Sequence, residues 1–140
     1  MIKYKKLPDN IEQLLPRAAD YLHARPDVVF AYLFGGLVQG ARRMLSDVDI
    51  AVYLATGAGP AEKKLDILGG LMDALCTDEI DLVLLNSAPE AFKMKILEHK
   101  KILVDKVPPV RHRYESLTFR RYFDFAPYER KIIEKRLLHG

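Results

Sequence analysis

The chain has 140 residues, of which 49% are hydrophobic and 29% charged, with a formal net charge of +3. This length and composition fit one compact domain and exclude a second full domain. No apolar stretch approaches the roughly 20 residues of a membrane-spanning helix, and the single cysteine and four scattered histidines argue against an intrachain disulfide and a zinc site. The first ten residues lack the apolar core of a signal peptide, so a cytoplasmic location is expected.

The predicted elements alternate between helices and strands along the chain. Apolar periodicity predicts helices over 10–24, with Asp9 or Asn10 as N-cap, over 61–75 and over 89–99. Short apolar runs predict strands over 28–34, 48–54, 80–85 and 102–104. After Pro108-Pro109, residues 111–138 are expected to form one kinked helix, or two helices joined near Pro127. This order predicts an α/β or α+β sheet domain.

The carboxyl-terminal segment is the basic part of the chain. Residues 111–140 hold eight Lys or Arg against four Asp or Glu, and also six aromatic residues. Aromatic content at this level is not typical of a disordered polybasic arm, so the segment is expected to fold or to bind a partner. The spacing of Phe119, Tyr122, Phe123 and Ala126 predicts a core-facing helix side, with the arginines on its solvated side. Direct nucleic-acid binding is not expected at a net charge of +3.

Two carboxylates open the second predicted strand. Because residues i and i+2 of a strand point to the same side, Asp47 and Asp49 should converge, whereas Val48 and Ile50 face the other way. Two such anions repel each other unless a cation lies between them. A hard divalent ion such as Mg²⁺ takes oxygen ligands, typically one or two carboxylates completed by phosphates and water. The pair therefore predicts a metal bound together with a phosphorylated substrate.

A third carboxylate, Asp81, lies at the start of the third predicted strand. Three carboxylates could hold two metal ions, which clamp the attacking and leaving oxygens of an in-line displacement. Asp81 is then the candidate base that takes the proton from an attacking hydroxyl.

A glycine-rich turn precedes these carboxylates. Gly35, Gly36 and Gly40 follow the first predicted strand, where backbone N–H groups can approach phosphate oxygens. Arg42 and Arg43 are close enough in sequence to neutralise a polyphosphate.

Together these residues resemble the minimal nucleotidyltransferase branch of the DNA polymerase β-like nucleotidyltransferase superfamily. The family pattern of Gly-Ser, Ser-Asp-x-Asp-(hydrophobic)-x-Val and a later carboxylate is similar to Gly35-Gly36, to residues 46–52 (SDVDIAV) and to Asp81. Segments 85–89, 96–99, 102–104 and 121–125 look like the antitoxin members of this branch.

The resemblance implies a nucleotidyltransferase fold with a small mixed β-sheet flanked by helices and a C-terminal helical segment. Residues 1–107 would form the nucleotidyltransferase domain, with 108–140 as a helical extension packed on it. Asp47, Asp49 and Asp81 would be the catalytic and metal-binding residues, with two Mg²⁺ ions. The nucleotide ATP would be held by Gly35, Gly36, Ser46, Arg42 and Arg43. The activity implied is transfer of AMP to a HEPN-domain ribonuclease toxin, which silences it; the oligomeric state, homo- or hetero-oligomeric, stays open.

Two alternatives stay open, the first of them because of one departure from the family pattern. Gly36 replaces the serine whose hydroxyl helps hold the phosphates, so the first alternative is an inactive antitoxin that works by binding and occlusion alone. Retention of all three carboxylates argues against it, because acids in an apolar strand cost stability without a cation. The second alternative is a small-molecule nucleotidyltransferase, for which 140 residues leave little chain to form a substrate domain.

Overall fold

The computed structural model describes residues 8–38, 47–55 and 59–139, and side chains as far as Asp124. Four helices and four strands occupy these residues, joined by a short 3₁₀ turn at Gly35–Leu37. The helices are α1 (Ile11–Ala24), α2 (Pro60–Leu75), α3 (Glu90–Glu98) and α4 (Pro108–His139), and the strands are β1 (Val28–Phe34), β2 (Val48–Leu54), β3 (Ile80–Leu84) and β4 (Lys101–Asp105).

The four strands form one mixed sheet in the order β3-β2-β1-β4. Strand β1 pairs antiparallel with both β2 and β4, whereas β2 and β3 are parallel and are connected through α2. A parallel pair needs such a crossover, and a helix is its usual form. The predicted mixed-sheet fold with flanking helices is therefore confirmed.

Alternation along the strands divides the interior into two layers. On one face of the sheet, Ile50 and Val52 pack against α1 and α2 in an aliphatic core. On the other face, Ala51 packs with Phe30, Tyr32 and residues of α3 in a second, aromatic core. Asp49 shares the side of β2 on which Ala51 lies, so it belongs to the face covered by α3 and α4.

A polar network connects α1, the start of β1 and α2. Arg25 pairs with Asp27 at 2.8 Å and with Asp66 of α2 at 2.6 Å. Tyr21 lies over Gly70, where an added Cβ would be 2.0 Å from the ring carbon Cζ. The glycine therefore allows the two helices to approach closely.

Helix α4 departs from the prediction in where it begins. The prolines Pro108 and Pro109 start it, rather than separating it from β4, because proline's fixed φ suits a first helical turn. The helix continues to His139 as one element, so of the two predicted arrangements the single helix is observed.

The inward side of α4 is also shifted from the predicted one. Tyr114 and Phe119 pack on the aromatic core, and Thr118 is buried. Phe123 is 61% exposed, so its prediction as a core-facing residue was wrong. Ala126 lies outside the described side chains. As a lone cysteine at the end of a predicted apolar helix, Cys76 is expected to be a small buried hydrophobe; this is wrong, because it is exposed and follows α2 in a left-handed conformation. Among the described residues, no helix is both long and apolar enough to cross a membrane.

Candidate active site

The sheet brings the three predicted carboxylates to one edge of the face covered by α3 and α4. Asp49 on β2 is the register partner of Asp81 on β3, and Asp47 comes directly before β2. Asp49 is half-buried, whereas Asp81 is exposed on the outermost strand. The parallel register thus places side by side two residues that are 32 positions apart in sequence.

Gly35 contacts this group from the neighbouring strand. Phe34 is the antiparallel partner of Asp49, so the turn after β1 begins beside the carboxylate. Gly35 has φ +76, and a Cβ built on it would lie 2.0 Å from Asp49 Oδ2 and 2.9 Å from its Cγ. Both the left-handed backbone and the close approach exclude a side chain. The backbone of the glycine turn is therefore in direct contact with the Asp49 carboxylate.

The electrostatics of Asp49 show how crowded the negative charge is. Burial, then the charges of Asp81 and Asp47, raise the pKa of the Asp49 carboxyl to about 6. None of the three carboxylates forms an ion pair with another side chain that the structure describes. Charge repulsion without a countercharge is the condition that a bound cation relieves.

The donor set fits a nucleotide-bound divalent ion better than a free-standing metal centre. Within 8–38, 47–55 and 59–139, no group of three His, Cys, Asp or Glu side chains is arranged to hold a metal ion by itself. Mg²⁺ does not need such a group, because it keeps several waters and binds one or two carboxylates together with phosphates. Asp49 and its neighbour Asp47 supply suitable oxygen ligands.

The phosphate-binding prediction is only partly covered by the described residues. Gly36 lies inside the 3₁₀ turn, and positive φ occurs at Gly35 and Gly59 among the described glycines, not at Gly36. Arg42, Arg43 and Ser46 lie outside the described residues, as does Gly40.

Two aromatic side chains pack together next to the carboxylates. Their contact could not be predicted from the sequence. Phe92 of α3 meets Phe34 edge to face, with 6.1 Å between ring centroids. Phe34 is the partner of Asp49, so α3 supports the strand that carries the glycine turn. The signal in the sequence was the aromatic end of β1, which predicted a buried strand but not its contact with α3.

A buried polar cluster fixes α4 on the same face. The Tyr32 hydroxyl donates to Glu115 at 2.6 Å, and Glu115 also pairs with Arg111 at 3.2 Å and Lys100 at 3.5 Å. Burial raises the pKa of Tyr32 and the hydrogen bond to Glu115 raises it further, so the phenol stays protonated. A buried tyrosine hydroxyl needs such a partner, but the sequence alone did not indicate which residue supplies it.

The fold is that of a nucleotidyltransferase domain. Residues 17–108 match the family model described as polymerase beta, nucleotidyltransferase, and the chain belongs to that family. No curated protein matches the chain.

Several similar solved structures are toxin-antitoxin complexes. A chain of a toxin-antitoxin complex with AMP-PNP superposes with a TM-score of 0.69 at 24% identity, with 91% of this chain and 98% of that chain covered. A mutant MntA-HpeT complex gives 0.66 at 26% identity over 94% and 99%. A complex of tri-AMPylated Shewanella oneidensis HEPN toxin with MNT antitoxin gives 0.63 at 22% identity over 91% and 96%. The predicted likeness to antitoxins of this kind is thereby confirmed at the level of fold.

Proposed function

We propose that this protein is an antitoxin that transfers AMP from ATP to a hydroxyl group of a HEPN-domain toxin and thereby silences it. Family membership supports nucleotidyl transfer, and the similar complexes, one with AMP-PNP and one with an AMPylated toxin, support the nucleotide and the partner. The proposal includes a cytoplasmic location, where ATP is available. It also retains a nucleotidyltransferase domain over 1–107 and a helical extension over 108–140.

The observation that carries the proposal is the contact between Gly35 and Asp49. In a turn with a purely structural role, contact between a glycine backbone and a half-buried carboxylate whose pKa is raised to about 6 brings no stability. In a nucleotide site this contact is useful, because the ion held by the carboxylate and the phosphates held by the turn must be adjacent. The short distance between Gly35 and the Asp49 carboxylate therefore suits binding of the ion and the phosphates together.

Each residue has a distinct role in the proposed reaction. Asp47 and Asp49 hold Mg²⁺, which when bound neutralises the phosphates and polarises the reacting phosphoryl group. The turn at Gly35 and Gly36 presents backbone N–H groups to the phosphates. Ser46, Arg42 and Arg43 keep their predicted nucleotide-binding roles as part of the proposal.

Asp81 acts on the acceptor. The toxin hydroxyl oxygen forms a bond to the α-phosphorus of ATP, the bond from that phosphorus to the bridging oxygen breaks, and pyrophosphate leaves. Asp81 takes the hydroxyl proton. Its exposure on the outermost strand suits this role, because a protein acceptor must reach it from solvent. In the proposed two-ion form, the Asp81 carboxylate would also be a ligand of the second Mg²⁺.

The test is transfer of label from [α-³²P]ATP to the purified toxin in the presence of Mg²⁺. We expect label on the toxin from α-labelled ATP and none from γ-labelled ATP, since the β- and γ-phosphates leave. The Asp47→Asn/Asp49→Asn variant should abolish transfer. Toxin that is bound and inhibited without receiving label would instead support occlusion, the alternative that Gly36 in place of the family serine favours.

A further inference from the structure

Strand β3 is the end strand of the sheet on the side of the candidate active site. It pairs with β2, and no other strand in the described part of the chain lies beside it. The Val48 amide donates to the Glu79 carbonyl, and the Leu85 amide donates to the Val52 carbonyl, each at 2.8 Å. Because backbone groups alternate sides along a strand, the odd-numbered residues of β3 face β2 and the even-numbered ones face outward.

Three residues, Ile80, Leu82 and Leu84, therefore direct their backbone N–H groups to the outer edge of β3. Their side chains pack in or against the aliphatic core, which accounts for the low exposure of Ile80 and Leu82. The three amides have no hydrogen-bond partner among the residues described, whereas the Leu84 carbonyl accepts from the Ser87 amide at 3.3 Å. A row of unpaired amides along an end strand is the template on which a further strand can pair.

The candidate active site ends at this edge. Phe34, Asp49 and Asp81 are successive register partners across β1, β2 and β3. Along this row, the glycine turn proposed to hold the phosphates comes first, followed by the carboxylate proposed to hold the ion. The exposed Asp81 carboxylate, proposed to take the proton, comes last. The next position in the row belongs to any strand that is added to β3.

A strand added to β3 would place one of its side chains beside the Asp81 carboxylate. Neighbouring strands are about 4.8 Å apart, and the side chains of register partners point to the same face of a sheet. The residue paired with Asp81 would therefore project from the face on which Asp49 lies. At this separation a hydroxyl oxygen can come within the roughly 2.6–3.2 Å that proton transfer to a carboxylate requires.

Asp81 also limits which segment can pair with the edge. An apolar side chain beside it would remove water from the carboxylate without replacing the lost hydrogen bonds, and an acidic side chain would add like charge. A second copy of β3, paired antiparallel about Asp81 or Leu82, would place Asp81 opposite another Asp81 or opposite Val83. A hydroxyl group can instead donate a hydrogen bond to the carboxylate, so a segment with Ser, Thr or Tyr at this position fits the edge.

We propose that the outer edge of β3 binds the acceptor protein by strand addition: an extended segment of the HEPN-domain toxin pairs with Ile80–Leu84 and places its acceptor hydroxyl beside Asp81. This inference rests on the proposed function. Main-chain hydrogen bonds to the edge supply affinity that does not depend on the side chains of the segment. The hydrogen bond to Asp81 selects the residue that receives AMP.

Amide hydrogen exchange of the whole protein, with and without toxin, tests the pairing directly. The probe is purified toxin with its ribonuclease site inactivated, in the presence of Mg²⁺ and a nonhydrolysable ATP analogue. We expect the Leu82 and Leu84 amides to exchange at least about tenfold more slowly in the complex. The control is the Asp105 amide on β4, which faces away from β1 because the Lys106 amide donates to the Val29 carbonyl at 3.1 Å. Its exchange should change less than about twofold.

Removal of a single amide hydrogen tests the effect on function. Cys76 permits ligation of residues 1–75 to a synthetic segment of residues 76–140, in which Leu82→N-methylleucine keeps the side chain and blocks the edge. We expect kcat/KM for the toxin to fall about tenfold or more, while the affinity for ATP·Mg²⁺ stays within about twofold of the parent. Asp105→N-methylaspartate, on the opposite edge of the sheet, should act on the toxin as the parent does. Thermal unfolding checks that both variants fold, and the exchange experiment decides without any variant.

Several results would overturn the inference. Unchanged exchange of Leu82 and Leu84 in the toxin complex, or amides already protected in the free protein, would reject pairing at this edge; if the parent still transfers AMP, the proposed function stands. Protection of the edge by a toxin that receives no AMP would support the pairing and reject the transferase. A parent that does not bind the toxin, equal loss of activity in the two N-methyl variants, or protection through self-association without toxin would each reject the inference.

Discussion

Two charged regions on opposite faces of the sheet treat charge differently: the Arg25 network and the carboxylate edge at Asp49. On the side of α1 and α2, Arg25 is paired with both Asp27 and Asp66, and the layer beneath is aliphatic. On the side of α3 and α4, Asp49 lies beside Asp81 with no cation from the described residues. Pairing lowers the pKa of Asp27, whereas burial and like charge raise that of Asp49. Charge that stabilises the fold is paired within the chain, whereas the charge proposed to bind a ligand is not.

The largest expected effect is on catalysis and belongs to the α3–α4 face alone. Asp81→Asn should lower AMP transfer to the toxin about 100-fold or more, the usual scale for the loss of a general base, while the fold and most ATP affinity remain. The matched control is Asp73→Asn on α2, where an exposed carboxylate is removed from the other face. Equal transfer rates for the two variants in single-turnover assays would remove Asp81 from the reaction.

Gly35→Ala tests whether the close contact serves the ligand. The new Cβ would meet Asp49 Oδ2 at 2.0 Å, and φ +76 adds backbone strain of about 1–3 kcal/mol. We expect a lower melting temperature and at least about tenfold weaker binding of ATP·Mg²⁺, since the carboxylate must move. Gly70→Ala on α2, which clashes with Tyr21, should lower stability only. If both variants bind ATP·Mg²⁺ equally well, the Gly35 contact is purely structural.

Gly36→Ser supplies the hydroxyl that the family pattern contains. Because Gly36 does not have a positive φ, serine should fit the turn without strain. A hydrogen bond to a charged group contributes about 1.5–3 kcal/mol before entropy is deducted, so ATP affinity should rise about three- to tenfold. Calorimetric titration with a nonhydrolysable ATP analogue measures it. An unchanged dissociation constant would show that the turn does not bind phosphate through this position.

The opposite pKa shifts predict opposite pH effects of removing a carboxylate. A raised pKa means that the folded state binds more protons than the unfolded state, so Asp49 lowers stability as pH rises from about 4 to about 6. In EDTA, Asp47→Asn/Asp49→Asn should therefore raise the melting temperature by about 2–6 °C at pH 7.5 and little at pH 4, after allowance for solvent screening.

Asp27→Asn is the control with the reverse sign. Its hydrogen bond from Arg25 lowers the pKa of Asp27, so the pair contributes stability above the ordinary carboxyl pKa and loses it as pH falls through the lowered one. The variant should melt below the parent at pH 7.5. If it and the Asp47→Asn/Asp49→Asn variant shift melting in the same direction, the contrast between the Arg25 network and the carboxylate edge is wrong.

The smallest effect concerns a glycine with no contact to protect. Gly69 lies inside α2, and a Cβ there would meet nothing within 4 Å. Gly69→Ala should therefore raise the free energy of unfolding by about 0.5–1 kcal/mol through helix propensity alone. Urea unfolding measures the change, and ATP affinity should equal that of the parent. A destabilised Gly69→Ala would mean that α2 needs flexibility at this point.

The sequence by itself determined the strands and the identity of the candidate carboxylates. Short apolar runs bounded by glycine and proline predicted β1 and β2 with the observed bounds, because a buried strand must be apolar throughout and turns need special backbone angles. Alternation along β2 also placed Asp49 on the side opposite Ile50, since the period of two is a property of the backbone.

Only the tertiary structure decided which distant residues meet. The parallel register of β2 and β3 set Asp81 beside Asp49, and the close approach of Gly35 to that carboxylate depends on antiparallel pairing with β1. The rotation of α4 about its own axis, which places Glu115 against Tyr32 and leaves Phe123 exposed, depends on how the helix packs on the sheet. Periodicity describes one element at a time, whereas register, helix rotation and the pKa of Asp49 are set by neighbours that the chain brings together only when it folds.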